Sequence, residues 1–195
     1  MMNSKFALAA AAALALGGCG LLGGKTPDVL LDLTAASPLP PQTGRTGSAE
    51  TAITVVRPTV PQALDTTRVP VITGQQVAYV KDAFWVDTPN DLFRRLLSET
   101  IASRTGRVVL DPLQTTFNPG TRLTGQLQNF GVDAPTMQAV VTYDAALATG
   151  PETVVTRRFE ARVPVGAIDR ANAAPALNAA ANQVALQVAG WIGGR

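Results

Sequence analysis

Phe84-Trp85-Val86-Asp87-Thr88-Pro89-Asn90-Asp91-Leu92-Phe93-Arg94-Arg95-Leu96-Leu97-Ser98-Glu99-Thr100-Ile101 decides how the chain is built. Thr88 is a helix cap, Pro89 suits the first helical position, and Asp91 follows three residues after the cap. Leu92, Phe93, Leu96, Leu97 and Ile101 then share one helical face, with Arg94, Arg95, Ser98 and Glu99 on the other. Gly106 stands where such a helix ends. A one-sided helix must bury its apolar stripe against something, and the flanking sequence offers strands.

Before the helix, Ala52 to Val56, Val69 to Ile72 and Gln76 to Val80 read as short strands, with Thr73-Gly74-Gln75 as a turn. After it come Arg107 to Leu110, a turn at Asn118-Pro119-Gly120, and three longer runs: Arg122 to Phe130, Met137 to Ala148 and Thr153 to Val163. Thr149-Gly150-Pro151-Glu152 joins the last two as a hairpin. Leu123, Gly125, Leu127 and Asn129 alternate with Thr124, Gln126, Gln128 and Phe130, and Val155, Arg157, Phe159, Ala161 and Val163 repeat the pattern. One sheet face is therefore expected to be wet. A second helix is expected from about Pro175 to Ile192, with Leu177, Ala181, Val184, Val188 and Trp191 as its stripe. The fold class that follows is α+β: an antiparallel or mixed sheet packed by two amphipathic helices.

The N-terminus reads as an address. Lys5 precedes an unbroken apolar run of eleven residues, Phe6 to Leu16. A membrane span needs about 20, so the run fits a signal peptide. Leu16-Gly17-Gly18-Cys19 closely resembles a bacterial lipobox, in which the Cys thiol accepts diacylglycerol; the bland alternative is a buried Cys in an ordinary cleaved signal peptide. On the lipobox reading residues 1–18 are the signal peptide, Cys19 is the lipidation site, and 19–27 form a lipidated tether. Acyl chains, palmitate among them, at about 0.8 kcal/mol per buried CH2 make that anchor effectively permanent. Gly20, where enteric bacteria place Asp for inner-membrane retention, favours the outer membrane. Residues 28–195 are expected to be one domain, opening with a strand at Val29 to Leu33. Pro38, Pro40, Pro41, Gly44 and Gly47 mark 34–50 as a flexible loop.

Composition excludes much chemistry. There is no His and one Cys, which removes the commonest general base, a Ser-His-Asp triad, an internal disulfide and a thiolate metal cage. Sixteen basic and fourteen acidic residues give +2, too little and too scattered for a nucleic-acid footprint. The acids are single: Asp82 and Asp87 flank the Phe84-Trp85 pair, where a glycosidase would need two converging carboxylates. Ser98 and Ser103 are helix serines, and Lys25 and Lys81 stand in no catalytic motif. Arg157, Arg158 and Arg162 fit a solvated sheet face or a patch for a partner or acidic lipid. No catalytic residue, cofactor or metal is assigned. Phe84, Trp85 and Asp87 are candidate partner contacts, with a core-plug role as the alternative for the rings; Trp191 carries the same two readings.

Pro61-Gln62-Ala63-Leu64-Asp65, followed by an extended segment and Phe84-Trp85-Val86-Asp87-Thr88-Pro89 leading into a Leu-rich helix, resembles the ABC-type transport auxiliary lipoprotein family, the PqiC-like lipoproteins. Leu123-Thr124-Gly125-Gln126-Leu127 with Phe130 is similar to that family's middle strand. The Ala-rich ending, the lipobox and Val29-Leu30-Leu31-Asp32 complete the likeness over the mature chain. Thr66 stands where the family often has Arg or Lys. The resemblance implies a non-enzymatic, periplasm-facing outer-membrane lipoprotein. Its partners would be an MCE-domain protein and the ABC permease and ATPase of one lipid-transport system, in some cases with the lipoprotein as a homo-oligomeric ring. A structural lipoprotein of a secretion or peptidoglycan-synthesis machine is the alternative.

Overall fold

Thr88 to Gly106 folds as its pattern demands. In the computed structural model, which describes residues 28–112, 120–150 and 152–194, helix α1 spans Pro89–Thr105, with Pro89 in its first turn. Gly106 closes it at φ 74°, a left-handed conformation glycine adopts without penalty, and its N–H reaches the Ala102 carbonyl. All five predicted stripe residues are buried. Thr88 departs from expectation: its side chain does not accept a helix N–H. Its hydroxyl instead faces the Asp91 carboxylate at 2.8 Å and Asn90 Oδ1 at 2.7 Å.

The strands are β1 (Ile53–Val55), β2 (Arg68–Thr73), β3 (Gln76–Phe84), β4 (Val109–Leu110), β5 (Thr121–Asp133), β6 (Gln138–Thr149) and β7 (Val154–Pro164). They form one mixed seven-stranded sheet. β5 is its spine. One edge pairs antiparallel with β6 from Thr121↔Thr149 to Asp133↔Gln138, and β6 pairs with β7. The other edge is shared by parallel partners: β1 at the start, Thr59 opposite Gln126 in the middle, and β2 at the end. Between Thr59 and Val71, twelve steps of chain span only six of β5, from Gln126 to Val132. A 3-10 turn at Gln62–Leu64 lies in the surplus. β4 lies beyond β1, and β3 beyond β2.

The expected alternation of β5 holds to Leu127 and then slips. A bulge between Leu127 and Asn129 sets two steps on β5 against one on β6, from Tyr143 to Thr142. Parity flips, so Phe130 joins Leu123 and Leu127 in the core while Asn129 leaves it. The inward residues of β6 and β7, Ala139, Val141, Tyr143, Leu147, Phe159 and Ala161, are buried with them.

The second helix, α2, spans Arg170–Gly193 and so begins five residues before the expected Pro175. Asp169 is the reason: its carboxylate accepts the Asn172 N–H at 2.9 Å and caps a turn that Ala173 anchors in the core. Pro175 is then inside the helix, where it forgoes one backbone bond. Leu177, Ala181, Val184 and Val188 are buried; Trp191 sits at the rim, its ring edge-on to Phe159 at 5.5 Å. The helices pack on each other and on one face of the sheet. Each fully enclosed Leu, Val or Phe contributes about 1.5–3 kcal/mol.

Two N-terminal expectations change. The strand read at Val29 to Leu33 is a single bridge, Leu31 beside Trp85, because only Leu31 finds a partner backbone. Residues 34–50 hold no helix or strand, as their prolines and glycines dictate, yet the segment is fastened to the helices at several points described below. The turn residues Asn118, Pro119 and Pro151 lie outside the described residues, as do the signal segment, Cys19 and the tether.

Candidate functional site at the Phe84–Asp87 corner

Three backbone hydrogen bonds lock this corner. Leu31 N–H donates to the Phe84 carbonyl at 2.7 Å, Val86 N–H to the Leu31 carbonyl at 2.8 Å, and Trp85 N–H to the Thr67 carbonyl at 2.7 Å. In extended chain neighbouring side chains face opposite ways. Trp85 turns inward and is 1% exposed, edge-on to Phe130 with ring centroids 5.5 Å apart. Phe84 is half-buried, and Val86 and Asp87 are exposed. Trp85 is therefore a core plug and drops out of the set of partner-facing residues, while Phe84 and Asp87 stay at the surface. The Trp85 Nε1 is buried with no hydrogen-bond partner among the described residues, at a cost of about 1–3 kcal/mol.

Asp87 accepts the Thr88 N–H at 2.7 Å. Just beyond it, Arg57 binds Thr88 Oγ1 at 2.9 Å, Asn90 Oδ1 at 3.1 Å and the Asp91 carboxylate at 2.6 Å. The start of α1 is thus held by a guanidinium that lies just after β1 in the chain, 31 residues before Thr88, an arrangement with no local signal. Asp82 and Lys81 are exposed on β3. Asp82 has a φ of 53°, at the point where the β2–β3 register breaks.

From the corner the chain continues as a strap across the helices. Thr34 N–H donates to Asn178 Oδ1 at 2.9 Å and Ala36 N–H to Asn182 Oδ1 at 2.7 Å. Asn182 Nδ2 returns a bond to the Thr34 carbonyl at 2.9 Å. Arg95 reaches Asp32 at 3.3 Å, Glu99 accepts the Leu39 N–H at 3.2 Å, and Arg45 binds the Ala102 carbonyl. Sequence reasoning missed this strap. Its signal was present: Asn178 and Asn182 are one turn apart in an otherwise Ala-rich helix.

A groove of about 560 Å³ lies between the strap, α1 and β4, with Ser98 on its wall. Its charges already have partners: Arg94 pairs with Asp111 at 2.6 Å, besides the bonds of Arg45, Arg95 and Glu99 given above. Ser103 donates to the Thr100 carbonyl at 3.1 Å, an intrahelical bond.

The open sheet face carries a polar ladder. Arg158 grips Asp144 through two bonds of 2.6 Å, Gln128 donates to Asp144 at 3.0 Å, and Thr142 donates to Glu160 at 2.8 Å. Arg162 binds Glu160 at 2.7 Å. Hydrogen bonding from Arg158 holds the Asp144 carboxyl below its usual range, and that from Arg162 does the same for Glu160. Arg157 belongs to the other side of the strand, as its parity requires, and lies 5.4 Å from the Phe159 ring. Among the described residues no group of three or more His, Cys, Asp or Glu could hold a metal ion. Nor is any described helix long and apolar enough to cross a membrane.

These features define an α+β domain with one helix-covered and one open sheet face. The chain belongs to the ABC-type transport auxiliary lipoprotein component family, whose model matches residues 32–189. It is therefore a lipoprotein component of ABC-type transport. Its fold is similar to that of the Xanthomonas campestris protein XCC0632, a DUF330-family structure, with a TM-score of 0.67 and 18% identity over 84% of this chain and 94% of that one. A second solved structure, of an uncharacterized protein, aligns with a TM-score of 0.62 and 15% identity over 73% of this chain and 92% of the other. No curated protein matches the chain in sequence.

Proposed function

We propose that the chain is the non-enzymatic outer-membrane lipoprotein of an ABC/MCE-type transport system. Anchored at Cys19, it docks the periplasmic assembly that moves lipid between the inner and outer membranes. The observation that carries this reading is a family match over residues 32–189 preceded by Leu16-Gly17-Gly18-Cys19. Gly20 after that Cys supports the outer membrane over the inner. The partners are the MCE-domain protein and, through it, the permease and ATPase of the same system.

With Trp85 enclosed, the open face of β5, β6 and β7 is the surface best suited to a protein partner. It is broad, carries both charge signs, and is left free by the helices. Photo-crosslinking amino acids placed at Gln126 and at Arg158 test this in cells, with exposed Arg104 on α1 as the control. Crosslinks to an MCE-domain protein from the first two positions, and not from the third, are expected. Crosslinks from Arg104 alone would move the docking surface to the helices, and capture of cell-wall or secretion proteins would replace the function.

A further inference from the structure

We infer that the corner formed by Leu30, Phe84 and Val86, with Val29 beside it, is a second membrane contact, seated on the surface of the bilayer that holds the anchor. The inference rests on the lipidation of Cys19 proposed above.

Among the described residues six large apolar side chains are exposed, and three of them, Val29, Leu30 and Val86, belong to the two short segments that run side by side here, each 45% exposed or more. The Leu31–Trp85 bridge explains the clustering. In that parallel register Leu31 and Trp85 turn inward together, so Leu30 falls beside Phe84 on the outer side, with Val86 one step along. The three backbone bonds of the corner hold these side chains out of the core.

The position of the patch in the chain names its occupant. Leu30 lies eleven residues after Cys19, a reach of at most about 40 Å even when fully extended. An acylated Cys19 therefore keeps the corner within that distance of a lipid surface at all times, which no other partner is guaranteed. The surroundings suit a headgroup layer. Across the ladder from Phe84, Arg68 holds its guanidinium over the Tyr79 ring at 4.1 Å, the pairing of aromatic and basic groups favoured where apolar and wet regions meet. The acids at the corner are already engaged, Asp32 with Arg95 and Asp87 with the Thr88 N–H. The contact thus depends on apolar insertion more than on lipid charge.

The test uses the full-length lipidated protein. Because Cys19 is the only Cys and is consumed by its lipid, one new Cys can be labelled selectively. Val86→Cys and Leu30→Cys carry an environment-sensitive NBD probe, and Val154→Cys, exposed on β7, is the control. Each protein is bound to phosphatidylethanolamine/phosphatidylglycerol vesicles with or without nitroxide-labelled lipid. The expected result is a blue shift and nitroxide quenching at positions 86 and 30 and neither at 154, unchanged by high salt. Adding Val86→Asp is expected to release the probe at position 30 from quenching while the protein still floats with vesicles. Flotation without quenching at 86 and 30 overturns the contact and leaves the anchor standing. Shielding that grows with protein concentration but ignores nitroxide lipid overturns it in favour of a second copy. Equal quenching at all three positions also overturns it, and loss of flotation sinks the anchor and the contact together.

Discussion

The Tyr143 ring occupies the place where residue 125 would carry a side chain. A Cβ built on Gly125 falls 2.7 Å from two Tyr143 ring carbons and also collides with the Asp144 carbonyl oxygen. The missing side chain lets the phenol cross β5 and donate to the Thr124 carbonyl at 2.9 Å. Burial pushes the Tyr143 hydroxyl above its usual range, so it stays a proton donor.

Gly125→Ala is therefore expected to destabilise the domain by about 3 kcal/mol, the upper end of overpacking costs, because the obstacle includes backbone. Tyr143→Phe keeps the ring and loses one hydrogen bond, about 1 kcal/mol. Urea unfolding of both variants gives the ordering; equal losses would mean the close approach is not what constrains residue 125.

The strap depends on two asparagines. Asn182→Ala removes partners from Ala36 N–H and the Thr34 carbonyl and is expected to cost about 1–2 kcal/mol. Asn178→Ala, at an exposed bond, should cost less. Limited proteolysis is the sharper reading: cleavage within residues 34–50 should rise several-fold in Asn182→Ala while the sheet stays resistant. Unchanged cleavage would show that the strap is held by Arg45 and Glu99 instead.

Acid should loosen the open sheet face. Asp144 and Glu160 have carboxyls held below their ordinary values in the fold. A group depressed in this way adds stability that is complete above its unfolded value. That stability drains as pH falls through the unfolded value toward the folded one. Stability is thus expected to be level from pH 7 to about 5 and to fall below about 4.5. Arg158→Ala should flatten the decline, modestly because the pair is largely exposed. Thermal melts across that range test the sign; a decline that Arg158→Ala leaves unaltered would point to other carboxyls.

How far the fold could be read beforehand depended on where each signal lay. α1 was legible because its cap region, stripe and terminal Gly106 are consecutive in the chain. α2 was legible along its stripe but not at its start, since Pro175 looks like a first helical residue until Asp169 is seen to cap the turn before it. The β5 bulge is a relation between two strands, so alternation alone placed Asn129 and Phe130 on the wrong faces. Trp85 was open between core and surface because its direction is set by Leu31 and Thr67, residues 54 and 18 positions away. Of the candidate contacts Phe84, Trp85 and Asp87, only Phe84 and Asp87 keep surface positions.

We propose that this lipoprotein serves an MCE-type transporter. The most direct test of that proposal is a mild-detergent pull-down of the tagged, lipidated chain from its own membranes, with mass spectrometry of what accompanies it. Recovery of an MCE-domain protein together with its permease and ATPase is expected. Recovery of secretion or cell-wall proteins alone would contradict it.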